Sequence, residues 1–269
     1  MVEIFDDIRK IYKFSPPCEE LKNYIEFFSE SSAEKTALHI SAEKFSVKMF
    51  ESWTPTIWFN LGTPYHLAIK NKSYAVKTNE DILLLRNTIV TRHVLHTDHI
   101  FTVKFFPGGI EAVLGFNQAN LTNQVININT LLSKIVIEAI KRAACFEDRI
   151  ILLQNYFISR LQLLRQKDHY IKIVQDLIVS YKSGNFLLNT SQSAEKMFIS
   201  SKTINRYFNN VVGIGPKKYF SVLRARAALT EYTAGKSSFI PSQFGYYDMS
   251  HFYKAIKKFT GKGLAGSQE

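Results

Sequence analysis

One local pattern occurs twice in the last third of the chain and constrains its fold more than any other feature. Ser200-Ser201-Lys202-Thr203-Ile204-Asn205-Arg206-Tyr207-Phe208 is followed by Gly213, and Asp248-Met249-Ser250-His251-Phe252-Tyr253-Lys254-Ala255-Ile256 by Gly261. Ile204 maps to Phe252, Arg206 to Lys254, Phe208 to Ile256 and Gly213 to Gly261, a constant offset of 48 residues. A helix N-cap residue, Ser200 or Asp248, opens each copy. Apolar residues four apart mark one buried face, with polar and basic residues on the other. A glycine stops each copy. The pattern is a short helix with a solvent-facing polar side, built twice.

The flanking sequence extends both copies. Residues 168–182 read as a helix with Ile171, Val174, Ile178 and Tyr181 inward, and residues 190–198 as a second, joined to the helix at 201–209 by the tight Ile199-Ser200 step. Pro216 suits the first position of a long helix to about residue 232, with Tyr219, Leu223 and Ala227 inward. A helix over 238–244, the turn Gly245-Tyr246-Tyr247 and a helix over 248–258 complete the second copy. Helix, tight turn and exposed polar helix make the helix-turn-helix pattern. A helix fits the DNA major groove, where polar side chains meet base edges, and Lys, Arg and helix N-termini suit the flanking phosphates. Two units held by one long helix can enter successive faces of the groove, about one helical turn apart.

Charge supports an anionic partner for this part. The chain of 269 residues carries a net charge of +11, and residues 168–269 hold 14 Lys and Arg against 6 Asp and Glu. Most of the excess therefore sits in the last two-fifths of the chain. Only two cysteines occur, Cys18 and Cys145, which excludes a disulfide framework and points to a reducing cytoplasm. No run of 18 apolar residues suggests a membrane span. Residues 1–10 lack the basic-then-apolar order of a secretory signal.

The N-terminal part has a different period. Pro16-Pro17 breaks the chain, and residues 19–28 read as a short amphipathic helix with Leu21, Tyr24, Ile25 and Phe28 on one face. From about 37 to 115 the alternation is that of strands, at residues 56–61, 65–69, 73–77, 81–85 and 102–106, with turns at Lys70-Asn71-Lys72 and Pro107-Gly108-Gly109. This predicts a β-sandwich or barrel. Beyond Gln118 the signal turns helical. Asn129 or Thr130 is the expected cap of a helix to about residue 144. A second helix over 147–164 carries Ile150, Leu153, Phe157, Leu161 and Leu164 on one stripe, read as intrachain core or a dimer seam. Gln166-Lys167-Asp168 is a plausible linker. The expected fold is α+β. An N-terminal β-sandwich or cupin-like barrel with flanking helices (1–165, β-rich to about 115 and helical over 118–165) precedes an all-α domain (168–265) of two helix-turn-helix units joined by a long helix.

Ser200 to Phe208, Gly213, Gly215-Pro216-Lys217-Lys218-Tyr219 and Arg224 to Ala228 resemble the first half of the AraC/XylS family DNA-binding domain. Gly245-Tyr246, Asp248, Ser250-His251-Phe252, Lys254, Ile256-Lys257-Lys258, Phe259 and Gly261 resemble the signature of its second half. The match covers about 95 residues. Phe105-Phe106-Pro107-Gly108-Gly109 is similar to a segment in the sensor region of some members. The resemblance implies a noncatalytic, cytoplasmic transcription regulator or activator without a cofactor. Promoter DNA and RNA polymerase are the implied partners, with a small-molecule effector and a homodimer as further ones.

Carried over by position, Ser201, Lys202, Thr203, Asn205 and Arg206 are the DNA-facing residues of the first recognition helix. Arg206 suits guanine and Asn205 adenine. Met249, Ser250, His251 and Lys254 fall at the reading positions of the second helix, and Lys257, with Lys217, Lys218 and Lys258, suits phosphate. Pro241 stands where the family has alanine, so the first helix of the second unit is expected to start late or be short. Ser237 and Gly263-Leu264 also depart from the family pattern. The first unit is therefore expected to dominate specificity.

Two rival readings exist. His93, His96 and His99, with His39 and His66, could converge on a metal in a barrel, which would make a metal-dependent cupin-like enzyme with a DNA-binding tail. An adaptor that docks on a partner and touches DNA weakly is the other. No phosphate loop or nucleophile motif occurs. Trp53, Trp58, Phe59 and Tyr65 are candidate ligand-pocket residues, though aromatic strand residues are also ordinary core.

Overall fold

The computed structural model describes residues 6–40, 43–163, 169–187, 192, 194–195 and 197–264. Two antiparallel sheets face each other in the N-terminal part. The larger has six strands in the order β1 (Tyr12–Ser15), β2 (Ile25–Ser31), β9 (Ile100–Phe105), β4 (Pro55–Asn60), β7 (Ile82–Leu85) and β10 (Val125–Asn127). The smaller has four, in the order β3 (Lys44–Met49), β8 (Val90–Leu95), β5 (Tyr65–Ile69) and β6 (Lys72–Val76). The fold is thus α+β, and of the sandwich and barrel that the alternating segments allow, two separate facing sheets make it a sandwich.

The central strands β4 and β9 are buried at every position, because both faces of the larger sheet are covered. Trp58, Ile82, Leu84 and Ile100 meet Val47, Tyr65, Leu67 and Val90 of the smaller sheet. Ile57, Phe59, Phe101, Val103 and Phe105 point the other way, into a layer of helices. After two short helices, α1 (Asp6–Ile11) and α2 (Ala33–His39), come the helices of that layer, α3 (Gly109–Leu114), α4 (Lys134–Arg142) and α5 (Phe146–Leu163). Phe101 meets Phe146 at 6.0 Å and Phe105 meets Phe157 at 5.7 Å, both edge to face, a favoured aromatic geometry. Ile150, Leu153 and Phe157 are buried in this layer and Leu161 packs partly buried against it, so the stripe to Leu161 is intrachain core; Leu164 lies outside the described residues.

Three local expectations change. Residues 19–28 are not a helix: only Glu19–Leu21 makes a 3-10 turn, and Ile25–Ser31 is a strand. Phe28 sits opposite Val103 in the ladder, and pairing with β9 outweighs a weak helical period. The cap of α4 is Ser133, whose Oγ accepts the Val136 amide, rather than Asn129 or Thr130. Those two residues are spent in a preceding turn, where the Asn127 side chain accepts the Asn129 amide and the Thr130 hydroxyl donates to the Asn127 carbonyl. The segment 238–244 forms only a 3-10 turn, Pro241–Phe244. Proline lacks an amide hydrogen and turns the preceding residue away from helix.

The C-terminal helices are α6 (His169–Ser183), α7 (Ser201–Val211), α8 (Pro216–Ala234) and α9 (Met249–Thr260). Ile171, Val174, Leu177, Ile178 and Tyr181 of α6 are buried. The linker expected at 166–168 lies outside the described residues, as do 190, 191, 193 and 196 of the helix expected over 190–198; of its other residues, 192, 194 and 195 are helical, with Ala194 buried, and 197–198 form a turn. One hydrophobic cluster runs from Leu21 and Phe28 through α5 and α6 to Phe208, Tyr219 and Phe259, so the helical and β parts share a core.

The Pro107-Gly108-Gly109 turn makes that junction possible. A Cβ on Gly109 would lie 2.0 Å from the Tyr24 carbonyl oxygen. Gly108 has φ +76, and a Cβ there would lie 2.7 Å from Ile171 and 3.0 Å from Val211. Only glycine allows both the left-handed turn and the close approach of α6 and α7.

Candidate nucleic-acid interface

Each recognition helix is built the same way. In α7, Ser200 Oγ accepts the Thr203 amide at 3.1 Å, while Ile204, Phe208 and Val211 are buried. In α9, Asp248 Oδ1 accepts the His251 amide at 2.7 Å, while Phe252, Ile256 and Phe259 are buried. Gly213 follows α7 with φ +91, and Gly261 caps α9 with φ +74. The repeated sequence is therefore a repeated structure, with the shared apolar positions inward and the polar positions outward.

Lys202, Asn205 and Arg206 on α7 are exposed, with Ser201 and Thr203 half-buried. On α9, Ser250, His251, Lys254 and Lys257 are exposed. Met249 is half-buried and packs against the core, so it differs from its neighbours in presentation. Neither helix contains a carboxylate side chain. The Arg206 guanidinium lies 5.3 Å from the Tyr207 ring, a cation–π contact that holds it without neutralising it. Asn205 Nδ2 donates to the Ser201 carbonyl at 2.8 Å, so one of its two donor hydrogens is engaged within its own helix. The site is a pair of cationic, carboxylate-free helix faces, the electrostatic complement of a phosphate-lined groove.

The α8 helix connects the two units. Its Arg224 guanidinium lies 4.8 Å from the Tyr246 ring and donates to the Gly245 carbonyl at 3.4 Å, which ties the turn of the second unit to the connecting helix. Burial raises the Tyr246 phenol pKa above its ordinary value, with Arg224 opposing the rise. Phe239, Phe244 and Phe252 fill the second unit, and the short Pro241–Phe244 turn leaves α9 fully formed.

The β part touches both units. Gln118, fully buried, donates through Nε2 to the carbonyls of Trp53 and Val212, both at 3.0 Å, and accepts the Gly108 amide at 3.3 Å. Asn117 Nδ2 donates to the Asn210 carbonyl at 3.0 Å. At the second unit, Lys48 Nζ donates to the Thr260 carbonyl at the end of α9, and Phe50 packs on Phe259 at 5.5 Å. Between them, Lys218 of α8 lies 5.2 Å from the Trp53 ring, and Arg226 Nη1 donates to the Glu51 carbonyl at 3.3 Å. The segment from Lys48 to Trp53 thus contacts the second unit and the connecting helix and, through the Trp53 carbonyl on Gln118, the first. None of these contacts has a sequence signature, because each depends on chain segments far apart.

Two of the cavities border the larger sheet. Between the sheets, Trp58 and Tyr65 flank the buried Arg92 guanidinium, which is paired to Asp98 at 2.8 Å, and the remaining space is about 40 Å³. Of the other candidate pocket residues, Trp53 and Phe59 belong to the helix-side core. A larger cavity of about 190 Å³ lies between the β part and α8, lined by Glu26, Lys104, Lys182, Tyr219 and Arg226 among others. Burial alone would raise the Glu26 carboxyl, but Lys104, 3.0 Å away, holds it below its ordinary value. His66 and His93 face each other across β5 and β8 on the outer sheet face, with His93 Nδ1 2.7 Å from Ser46 Oγ. His99 bonds instead to Glu30. Among the described residues no three His, Cys, Asp or Glu side chains converge as a metal site.

A helix-turn-helix domain family matches residues 193–264 of the chain. The C-terminal region is an AraC-type helix-turn-helix domain. No curated protein matches the chain. Among solved structures, ToxT from Vibrio cholerae O395 is 11% identical, over 83% of this chain and 95% of that one, with a TM-score of 0.48. ToxT from Vibrio cholerae strain SCE256 with an unsaturated fatty acid bound is 13% identical, over 82% and 92%, with a TM-score of 0.46. The AraC-like transcriptional activator CuxR is 11% identical, over 86% and 90%, with a TM-score of 0.33. The AraC-type domain contains both recognition helices described above, and the chain is a DNA-binding transcription regulator. Among the described residues no helix is long and apolar enough to cross a membrane.

Proposed function

We propose that this regulator acts noncatalytically in the cytoplasm, binding promoter DNA with α7 and α9 together and responding to a small molecule through residues 1–165. The observation that carries the DNA reading is the pair of capped, carboxylate-free helices whose Lys202, Arg206, Lys254 and Lys257 face solvent. Phosphate neutralisation supplies most of the affinity, and the side chains at the two reading surfaces supply the discrimination. Residues 168–265 are the DNA-binding part. RNA polymerase is the proposed partner at the promoter, with a second copy of the chain as a further one.

The effector reading rests on the 190 Å³ cavity rather than on the nearly filled space between the sheets. Its lining includes Lys104, Lys182 and Arg226 against a single carboxylate, Glu26, which suits a compact anion. An occupant there would touch β9 and α8 at once and so bias the arrangement of the two units, a shift of population between states. ToxT, described above with a fatty acid bound, is a ligand-binding protein of similar layout.

Mapping of bound genomic sites by immunoprecipitation and sequencing tests the regulator reading. A shared sequence under the peaks, lost on Arg206→Ala, is the expected result. Bound sites that survive this substitution unchanged would favour an adaptor. A thermal-shift screen of small carboxylates and phosphate esters, followed by gel shifts, tests the effector. No compound that alters DNA binding would leave the β part as a docking scaffold.

A further inference from the structure

The first turn of α9 holds a histidine in one tautomer. His251 is the third residue of the helix, where a capping-box side chain reaches back to the backbone. Its Nδ1 lies 3.3 Å from the Tyr247 amide nitrogen, which can only donate. Its own amide donates to the Asp248 carboxylate at 2.7 Å, and its ring stands against the edge of Tyr246 at 5.3 Å and 85°. A neutral imidazole has one donor and one acceptor nitrogen. With Nδ1 accepting, the proton is on Nε2. The backbone of the turn therefore fixes the ring and leaves an N–H donor on an exposed side chain.

The first unit does not repeat this arrangement. Thr203 occupies the equivalent position, and its hydroxyl lies 3.0 Å from its own cap, Ser200 Oγ. Thr203 is half-buried, whereas His251 is exposed. The equivalent position thus carries an engaged hydroxyl in one unit and a free, oriented donor in the other. Recognition helices present their N-terminal residues to base edges. The acceptors there are purine N7, guanine O6 and thymine O4.

We propose that His251 is a specificity-determining residue of the second unit, donating from Nε2–H to the N7 of a purine in the major groove. The inference rests on α9 being a recognition helix. It names the atom through which the second reading surface discriminates.

The test uses the full chain and a duplex that it selects from a random pool. Each purine is replaced in turn by its 7-deaza analogue, which removes N7 and keeps the Watson–Crick edge. At one purine within the second half-site the wild type is expected to lose about fivefold or more in affinity, the loss of one hydrogen bond. His251→Ala is expected to bind the normal and 7-deaza duplexes equally. His251→Gln, with a carbonyl to accept the Tyr247 amide and an amide group to donate, is expected to restore at least part of the difference. It also guards against a folding defect in the alanine variant. A 7-deaza effect of the same size in wild type and His251→Ala at every purine would overturn the inference. So would the absence of any 7-deaza effect. Failure to select any sequence would instead overturn the regulator reading itself.

Discussion

The two helix-turn-helix units share one pattern and differ in how the rest of the molecule holds them. The first is bound by buried polar groups: Gln118 satisfies the Val212 carbonyl from a fully buried position, and Gly108 admits Ile171 and Val211 at contact distance. The contacts of the second with the β part include the Lys48 hydrogen bond to the last turn of α9 and the Phe50–Phe259 pair, neither of which buries a polar group as Gln118 is buried. Burial lowers the Lys48 pKa, with Lys262 adding to the effect, which marks that contact as partly desolvated. An unsatisfied buried amide or carbonyl costs more than an exposed one, because water replaces the lost partner only at the surface. The first unit is therefore anchored to the β part and the second is the more easily released. This difference in anchoring is separate from the difference in base reading expected from the sequence. Pro241 shortens the preceding helix, yet α9 keeps its cap, its buried face and its twelve residues.

The comparison can be broken at several points. The largest effect is expected from Gly109→Ala, where the new Cβ has no room beside the Tyr24 carbonyl and overpacking costs about 3 kcal/mol. Denaturant unfolding measures it, and a loss below about 1 kcal/mol would show that the turn can relax. Next, Arg206→Ala is expected to abolish specific binding, a loss of about 2 kcal/mol or more, whereas Lys254→Ala weakens it by less than about tenfold. Equal losses in a gel-shift titration at fixed salt, or the reverse order, would refute the imbalance between the units. Gln118→Ala should cost about 2 kcal/mol of stability, and Lys48→Ala no more than about 1 kcal/mol. If Lys48→Ala proved the costlier, the second unit would be the anchored one. The smallest effect has the opposite sign. Phe198 precedes α7 with φ +53 and is 96% exposed. Phe198→Gly relieves a left-handed residue and should stabilise by up to about 1 kcal/mol, raising Tm by a few degrees. No rise would mean that the backbone entropy glycine adds to the unfolded chain offsets the relief.

Much of the candidate site was legible in the chain. Ser200 and Asp248 are caps, Ile204, Phe208, Phe252 and Ile256 are buried, and Lys202, Arg206, Lys254 and Lys257 are exposed, as their spacing implies. These features are local, set by residues one to four positions apart. Met249, expected at a reading position, is half-buried against the core, an outcome that packing decides. The His251 donor was hidden for another reason. It depends on which ring nitrogen meets the Tyr247 amide, a matter of rotamer and turn geometry. The strands were legible where residues alternate, at 65–69 and 102–106. Residues 19–28 misled because a run of Ile, Phe and Phe satisfies either period, and its partner β9 is about 75 residues away.

By itself, the amino-acid order determined the repeated capped helices, their cationic faces, a β-rich N-terminal part (sandwich or barrel) and the AraC-type resemblance. All of these follow from short-range periodicity and side-chain chemistry. Tertiary structure alone decided that the helical stripe of α5 is core, that Trp58 and Tyr65 enclose an arginine, and that one segment, Lys48 to Trp53, reaches from the β part to the second unit and the connecting helix. Those outcomes depend on which distant surfaces meet. Hydrophobic burial is nondirectional and does not specify its partner, so only the completed packing chooses among the alternatives.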